Sequence, residues 1–239
     1  MEKIKIHALS ADLAVRCTQA SARRNSDIEK KVDEAWDREN KRRGGILYNG
    51  SVFSIVSCGH DQITGSFEEY RYFVAQMAQP ELYDDLNMSF LAVSGVITSA
   101  DGVVLGRRGS QSFQDRGIWE LVPSGGLEIQ DKNEDGVIDF KNAILRELEE
   151  ETGLKEDAIT SIDVLCLLED QESHLFDIGL AIKTTLSGDE IQSFCKRQTG
   201  GEYEEFKIIP VRDINSFVQS DGGKISRVSL ALLKILENQ

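Results

Sequence analysis

Arg146-Glu147-Leu148-Glu149-Glu150-Glu151-Thr152-Gly153-Leu154 carries more chemical information than any other stretch of the chain. Wound as a helix, at roughly 100° per residue, it puts Glu147, Glu150 and Glu151 on one face, because they are spaced i, i+3, i+4. Leu145, Leu148 and Thr152 form the neighbouring face, suited to packing on a sheet. Arg146 stands one turn before Glu150, within pairing reach, and Gly153 follows where a helix takes its left-handed C′ residue. Three carboxylates on one face repel one another unless cations lie between them. Hard oxygen donors of this kind suit Mg²⁺ or Mn²⁺. Such an ion can neutralise a diphosphate and lower the pKa of an attacking water.

Working outward, Phe140–Thr152 reads as the strongest helix of the chain. Phe90–Ile97 and Val103–Gly106 read as strands around the turn Ala100-Asp101-Gly102. Gly117–Val122 is a short strand leading into Pro123-Ser124-Gly125-Gly126. Ser161–Leu168, Leu175–Thr185 and Phe206–Val211 are further strands, and Arg227–Glu237 is a closing amphipathic helix. Strands mixed with a few helices predict a sheet covered on both faces.

The pattern R-E-(aliphatic)-x-E-E-x-G-(aliphatic) has a chance occurrence, by average residue usage, on the order of 1 in 10⁵ in a chain of this length. A fortuitous acidic surface helix is therefore set aside. The string resembles the end of the Nudix box. Arg107-Arg108, Gly117-Ile118-Trp119 and Val122-Pro123 resemble the run that precedes the box in that family. The resemblance covers about residues 90–215. It implies an α/β fold, a Nudix-type α/β/α sandwich with a mixed sheet, with Glu147, Glu150 and Glu151 as metal ligands and Arg146 as the residue that positions them. It matches Gly125-Gly126 to the opening glycines, where a backbone carbonyl, here that of Gly126, often joins the metal shell. A further carboxylate, as base or ligand, is expected from the loop before Phe206: Glu205 first, Glu202 second, with Asp177 as a rival. Arg107 and Arg108 are candidate phosphate ligands and, being adjacent on a strand, point to opposite faces.

The family has seven residues between an early glutamate and the arginine, and counting back from Arg146 reaches Ile138. Glu128 and Asp139 are the candidate replacements. The residues inserted before the helix, Asp131 to Asn142, match an EF-hand loop at most of its ligand positions. Asp131, Asn133, Asp135 and Asp139 would offer side-chain oxygens to Ca²⁺ and Val137 its carbonyl, whereas Asn142 stands where the bidentate glutamate belongs. The alternative is a polar hairpin turning at Asp135-Gly136, with Asp139 capping the helix.

The first 88 residues read as a small α+β region, an element for substrate specificity or dimerisation, ahead of a Nudix domain over 89–239. Ile4–Leu9 and Leu13–Cys17 are strand candidates. Ser26 and Glu29 suggest a capping box for a helix carrying Ile28, Val32 and Trp36. Residues 46–58 suggest a hairpin about Asn49-Gly50, and Phe67–Met77 a second helix.

Composition narrows the partners. With 239 residues, 40% hydrophobic and 28% charged, the chain can bury a core without disulfides. A formal net charge of −14 argues against general nucleic-acid binding and against anionic membranes. It favours a phosphate-rich small molecule bridged by cations. Cys17, Cys58, Cys166 and Cys195 form no CxxC pair, and the N-terminus has no apolar signal-like run, so a reduced, cytoplasmic protein is expected. His7, His60 and His174 form no zinc or triad spacing.

The expectation is a Mg²⁺- or Mn²⁺-dependent pyrophosphatase that splits a nucleoside diphosphate linked to another group. The N-terminal region, with its Asn49-Gly50 hairpin and the helix read in Ser66–Phe73, distantly resembles that of members acting on nucleotide sugars such as UDP-glucose. ADP-ribose, dinucleotides and nucleoside triphosphates are alternative substrates. A non-catalytic Nudix-fold nucleotide sensor is the alternative class, and a homodimer is an expected assembly. An isopentenyl-diphosphate isomerase-like enzyme lacks its cysteine and glutamate constellation here.

Overall fold

The structure, a computed structural model, describes residues 4–18, 24–109, 116–198 and 201–237. In chain order its elements are β1 (Ile4–His7), β2 (Ala14–Cys17), α1 (Ser26–Arg42), β3 (Ser51–Cys58), β4 (Gln62–Glu69), α2 (Tyr70–Ala78), α3 (Tyr83–Leu86), β5 (Phe90–Ser99), β6 (Gly102–Arg108) and β7 (Trp119–Leu121). There follow β8 (Ser124–Gly126), β9 (Val137–Ile138), α4 (Phe140–Thr152), β10 (Ile159–Asp170), β11 (Leu175–Thr184), α5 (Gly188–Cys195), β12 (Tyr203–Ile209), α6 (Ile214–Asp221) and α7 (Arg227–Glu237). None of these helices is long and apolar enough to cross a membrane.

The strands form one mixed sheet in the order β1-β10-β11-β5-β3-β4-β2-β9, with β6, β7, β8 and β12 branching from β5 and β6. The pairs β5/β11 and β2/β4 run parallel and the others antiparallel. Alternation along β5 sorts its side chains: Leu91, Val93 and Ile97 join a core with Ile144 and Leu148 of α4. Val96 joins a second core with Leu232 and Leu233 of α7. Helices thus cover both faces, as expected of an α/β/α sandwich.

The first 88 residues share this sheet and this core. Val15, Phe53 and Ile63 pack with Leu148 and Phe140, while β1 pairs with β10 and β3 meets β5 at Ser54–Phe90.

Three local expectations change here. Helix α1 is capped by Asn25, whose Oδ1 accepts from the backbone N–H groups of Asp27 and Ile28 at 3.1 and 2.9 Å. Ser26 lies one residue too late for that role. Asn49-Gly50 is not a hairpin turn. Asn49 accepts from Arg71 N at 2.9 Å and donates to Glu69 at 2.7 Å, tying the loop to the start of α2. The hairpin is instead β3–β4, so Phe67, read as helical, lies in a strand. Gly65 explains why the strand wins: a side chain there would run into Ser54 O and the Phe53 ring. Only glycine lets β3 and β4 approach so closely around Phe53.

Candidate active site

Helix α4 is set by local chemistry at both ends. Asp139 accepts from Asn142 N at 2.9 Å, and Gly153 closes the helix at φ 73°. Ala143, Ile144 and Leu148 are fully buried against the sheet. The glutamate face is thereby turned toward β8. Glu147 lies over Gly125, where a Cβ would run into its carboxyl group. A Cβ on Gly126 would meet Phe90 instead. Ser124 N donates to Glu151 Oε2 at 3.3 Å. Glu151 is buried and Glu150 is exposed.

Arg146 does not pair with Glu150. Its guanidinium donates to Glu147 Oε1 at 2.6 Å and reaches Asp131 at 3.3 Å and Glu128 at 3.5 Å. The Asp131 side chain is fully buried, and its Oδ2 also accepts from Glu128 N at 2.7 Å. Asp131 therefore occupies the place expected of an early box glutamate. Counting forward would have found it: five residues separate Gly125 from Asp131, and the insertion lies after it rather than before.

The hydrogen bonds of the inserted segment favour the hairpin alternative over the calcium loop. Asp131 turns inward to Arg146, whereas Asn133, Asp135, Asp139 and Asn142 are exposed. Asn133 Oδ1 accepts from Val137 N and the Val137 carbonyl accepts from Asn133 N, both at 2.9 Å. The segment is the polar hairpin, turning at Gly136 (φ 77°), and its strand β9 is claimed by β2 through the pairs Val15–Ile138 and Arg16–Val137.

Other elements bring more carboxylates than the helix alone. Arg108 donates to Glu120 at 2.7 Å and reaches Glu202 at 3.3 Å, and the Tyr203 hydroxyl donates to Glu120 at 2.8 Å. Arg107 takes the opposite face, paired with Glu204 and Glu205, each at 2.8 Å, and set against the Trp119 ring. Of the two loop candidates, Glu202 is thus the one near the helix glutamates, and Glu205 is committed to Arg107. Glu120 was missed by sequence reasoning; its only signal was an acidic residue between two apolar ones in Trp119-Glu120-Leu121.

Burial raises the proton affinity of this cluster. Glu147 is pushed up to about 7 by burial, with Arg146 opposing and Glu150 adding to the rise. Glu151 is held well above the usual carboxylate range by burial and then by the charges of Glu202, Glu120 and Glu147. Glu120 is raised by burial against the pull of Arg108. Asp177 is wholly buried and reaches about 7, mainly by burial. It accepts from Ser94 Oγ at 3.0 Å through Oδ2, while its Oδ1 has no hydrogen-bond partner among the described residues.

Asp177 carries a pH prediction. Its folded pKa exceeds its unfolded value, so its stability contribution is present below the model-peptide value of 3.8 and is lost as pH rises through about 7. Asp177→Asn keeps an acceptor for Ser94 and removes the buried charge. In metal-free buffer the variant should match wild type near pH 4 and be more stable by a few kcal/mol at pH 8. Urea melts across that window check this; parallel curves would refute it.

Among the described residues, no three His, Cys, Asp or Glu side chains are arranged to hold a metal ion as they stand. The reason is visible: Glu147 is drawn to Arg146 and Glu150 extends into solvent. The donor chemistry nonetheless suits a hard divalent cation. Glu147 and Glu151 flank strand β8, where Gly125 leaves room for the Glu147 carboxyl group, and their mutual repulsion is what an added cation would relieve.

The NUDIX domain model matches residues 88–228. A search of characterised proteins by sequence gives no match. Among solved structures, the chain is similar to a bifunctional NMN adenylyltransferase/ADP ribose pyrophosphatase from Francisella tularensis, at 17% identity and a TM-score of 0.44, over 70% of this chain and 48% of that one. It is similar to a C. elegans Ap4A hydrolase at 17% identity and a TM-score of 0.40, over 60% and 92% of the two chains. Shewanella oneidensis NrtR, complexed with a 27mer DNA, gives 18% identity and a TM-score of 0.41 over 61% and 59%. These are likenesses of fold; the family rests on the domain match, which spans more than half of the chain.

Proposed function

The chain belongs to the NUDIX family of hydrolases, and within it we propose a divalent-metal-dependent pyrophosphatase that cleaves the diphosphate linkage of a nucleotide sugar or similar nucleoside diphosphate derivative. One observation carries this reading. Glu147 and Glu151 are seated on strand β8, with buried Glu120 and the loop carboxylate Glu202 adding their charges at Glu151, an arrangement that is unfavourable until a cation is bound.

Glu147, Glu150 and Glu151 would hold Mg²⁺ or Mn²⁺, with a backbone carbonyl of the Gly125-Gly126 turn beside them. Bound there, the metal supplies Lewis-acid charge and a more acidic water. Arg146 orients Glu147 through its 2.6 Å contact. Glu202, beside Glu151, is the better placed of the loop carboxylates to accept a proton, and Arg108, which contacts Glu120 and Glu202, offers a guanidinium to a phosphate oxygen. Residues 1–88 would supply leaving-group specificity.

The test is a panel of UDP- and ADP-sugars, dinucleotides and nucleoside triphosphates, with Mg²⁺ or Mn²⁺, the products read by mass. Turnover should be highest on a nucleotide sugar, with nucleoside monophosphate as one product. Preference for free triphosphates would overturn the substrate reading. Nucleotide binding without any turnover would make the chain a sensor.

A further inference from the structure

Strand β12 breaks step once. Its residues Tyr203 and Glu205 stand opposite Arg108 and Arg107 of β6, so two steps on one strand match one step on the other. Such a slip is a β-bulge, a feature that re-aims side chains. In a regular strand Tyr203 and Glu205 would share a face. Here Glu205 goes with Arg107, whereas Tyr203 turns into the core that holds Leu148 of α4. Its ring fits there only because β6 carries glycine at position 106, where a Cβ would run into it.

The bulge sets the Tyr203 hydroxyl against Glu120 of β7. The hydroxyl donates to Glu120 Oε1 at 2.8 Å, and Arg108 Nη1 donates to the same oxygen at 2.7 Å. Tyr203 and Glu120 are only 8% and 9% exposed, so water is a poor substitute for either bond. The second Nη of Arg108 reaches Glu202 at 3.3 Å, and Gly109 N donates to the Glu202 carbonyl at 2.8 Å. Glu202 is the exposed end of this chain of contacts, its side chain 55% accessible. After burial, its charge is the largest influence on Glu151.

We propose that Tyr203 and Glu120 are positioning residues, which together fix the Arg108 guanidinium and through it hold the Glu202 carboxylate toward the glutamates of α4. The proposal rests on the reading of the chain as a hydrolase in which Glu202 accepts a proton, and adds what aims that group. A solvated loop glutamate must give up rotamer freedom to be held in one place. A general base acts only within hydrogen-bond reach of its proton. A guanidinium presents its donors in one rigid plane, so pinning one edge on Glu120 fixes the direction of the other. The buried end of the chain supplies the rigidity that the exposed end lacks.

A double-mutant cycle on the full chain tests this, using Mg²⁺ and the compound of the substrate panel that wild type turns over fastest. Tyr203→Phe keeps the ring and removes only the hydroxyl. It should lower kcat ~10-fold with KM within about twofold, a part of the ~10²–10⁴-fold that a well-placed base supplies. Glu202→Gln should lower kcat by ~10²-fold or more. Adding Tyr203→Phe to Glu202→Gln should cost no more than about twofold further, because residues that act through one another are not additive. A merely structural tyrosine would cost the same factor in both backgrounds. Glu120→Gln should repeat the pattern and serves if Tyr203→Phe does not fold, since it keeps an acceptor for the hydroxyl and loses the charge that holds Arg108. Undiminished kcat in Tyr203→Phe or in Glu202→Gln, or equal losses in both backgrounds, overturns the positioning role.

Amide exchange in EDTA, without substrate, reads the anchoring directly. The Gly109 N–H should exchange ~10-fold faster in Tyr203→Phe than in wild type, as expected of a local opening. The Gly153 N–H, bonded to the Glu149 carbonyl, should keep its wild-type rate. Should wild type turn over no compound of the panel, the hydrolase reading falls, and exchange still decides whether Tyr203 anchors Glu202. Unchanged protection of Gly109 overturns that anchoring.

Discussion

Glu150→Gln or Glu151→Gln should lower kcat by ~10²-fold or more while leaving a folded protein, because a metal site that loses a carboxylate loses both its charge and its activated water. The two positions reach this result differently. Glu150 is exposed and its amide costs nothing in packing. Glu151 is buried and already held toward its protonated form by burial and by Glu202, Glu120 and Glu147. Removing its charge in the metal-free protein should therefore stabilise rather than destabilise. Two measurements check this: turnover with Mg²⁺ or Mn²⁺, and thermal melts in EDTA. Near-normal turnover in either variant would refute the metal assignment. A lower melting temperature for Glu151→Gln in EDTA would refute the electrostatic account of the cluster.

Arg146→Ala should be the most destabilising single change at the site. It leaves the fully buried Asp131 carboxylate with Glu128 N as its remaining partner, and releases Glu147 from its 2.6 Å contact. Stranding a buried charge in this way costs about 3–5 kcal/mol, on the order of 10 °C in melting temperature for a chain of this size. Adding Asp131→Asn should restore part of the loss, since the stranded charge is then gone. Differential scanning calorimetry of both variants measures the coupling. A single variant that melts within about 2 °C of wild type would show that Asp131 and Arg146 are not a pair.

The glutamate helix α4 was legible because its signals are local. The acidic face follows from i, i+3, i+4 spacing, and Asp139 and Gly153 mark its ends through hydrogen bonds and backbone freedom within a few residues. Arg227–Glu237 was legible for the same reason. The helices Gly188–Cys195 and Ile214–Asp221, each eight residues long, went unread because short helices take their stability mostly from packing rather than from pattern. The loop from Asp131 to Asn142 shows the limit of pattern matching. Its oxygen side chains recur at calcium-loop spacing, yet β2 claims Val137 and Ile138 for the sheet, and Arg146 claims Asp131.

By itself the sequence determined the family pattern: three glutamates and an arginine at helical spacing, a pair of glycines before them, and an acidic chain suited to cation-bridged ligands. What surrounds those groups was decided only in three dimensions. Glu120, Glu202 and Asp177 become neighbours of the site or of one another through pairing of β5, β6, β7, β11 and β12, whose partners are far apart in the chain. The proton affinities of Glu120 and Asp177 depend on how completely water is excluded, a property of the assembled layers and not of any residue type. The split between Arg107 and Arg108 belongs in part to both levels. Strand alternation demands opposite faces, and only the packing of Trp119 on one side and Glu120 on the other says which arginine meets the cluster.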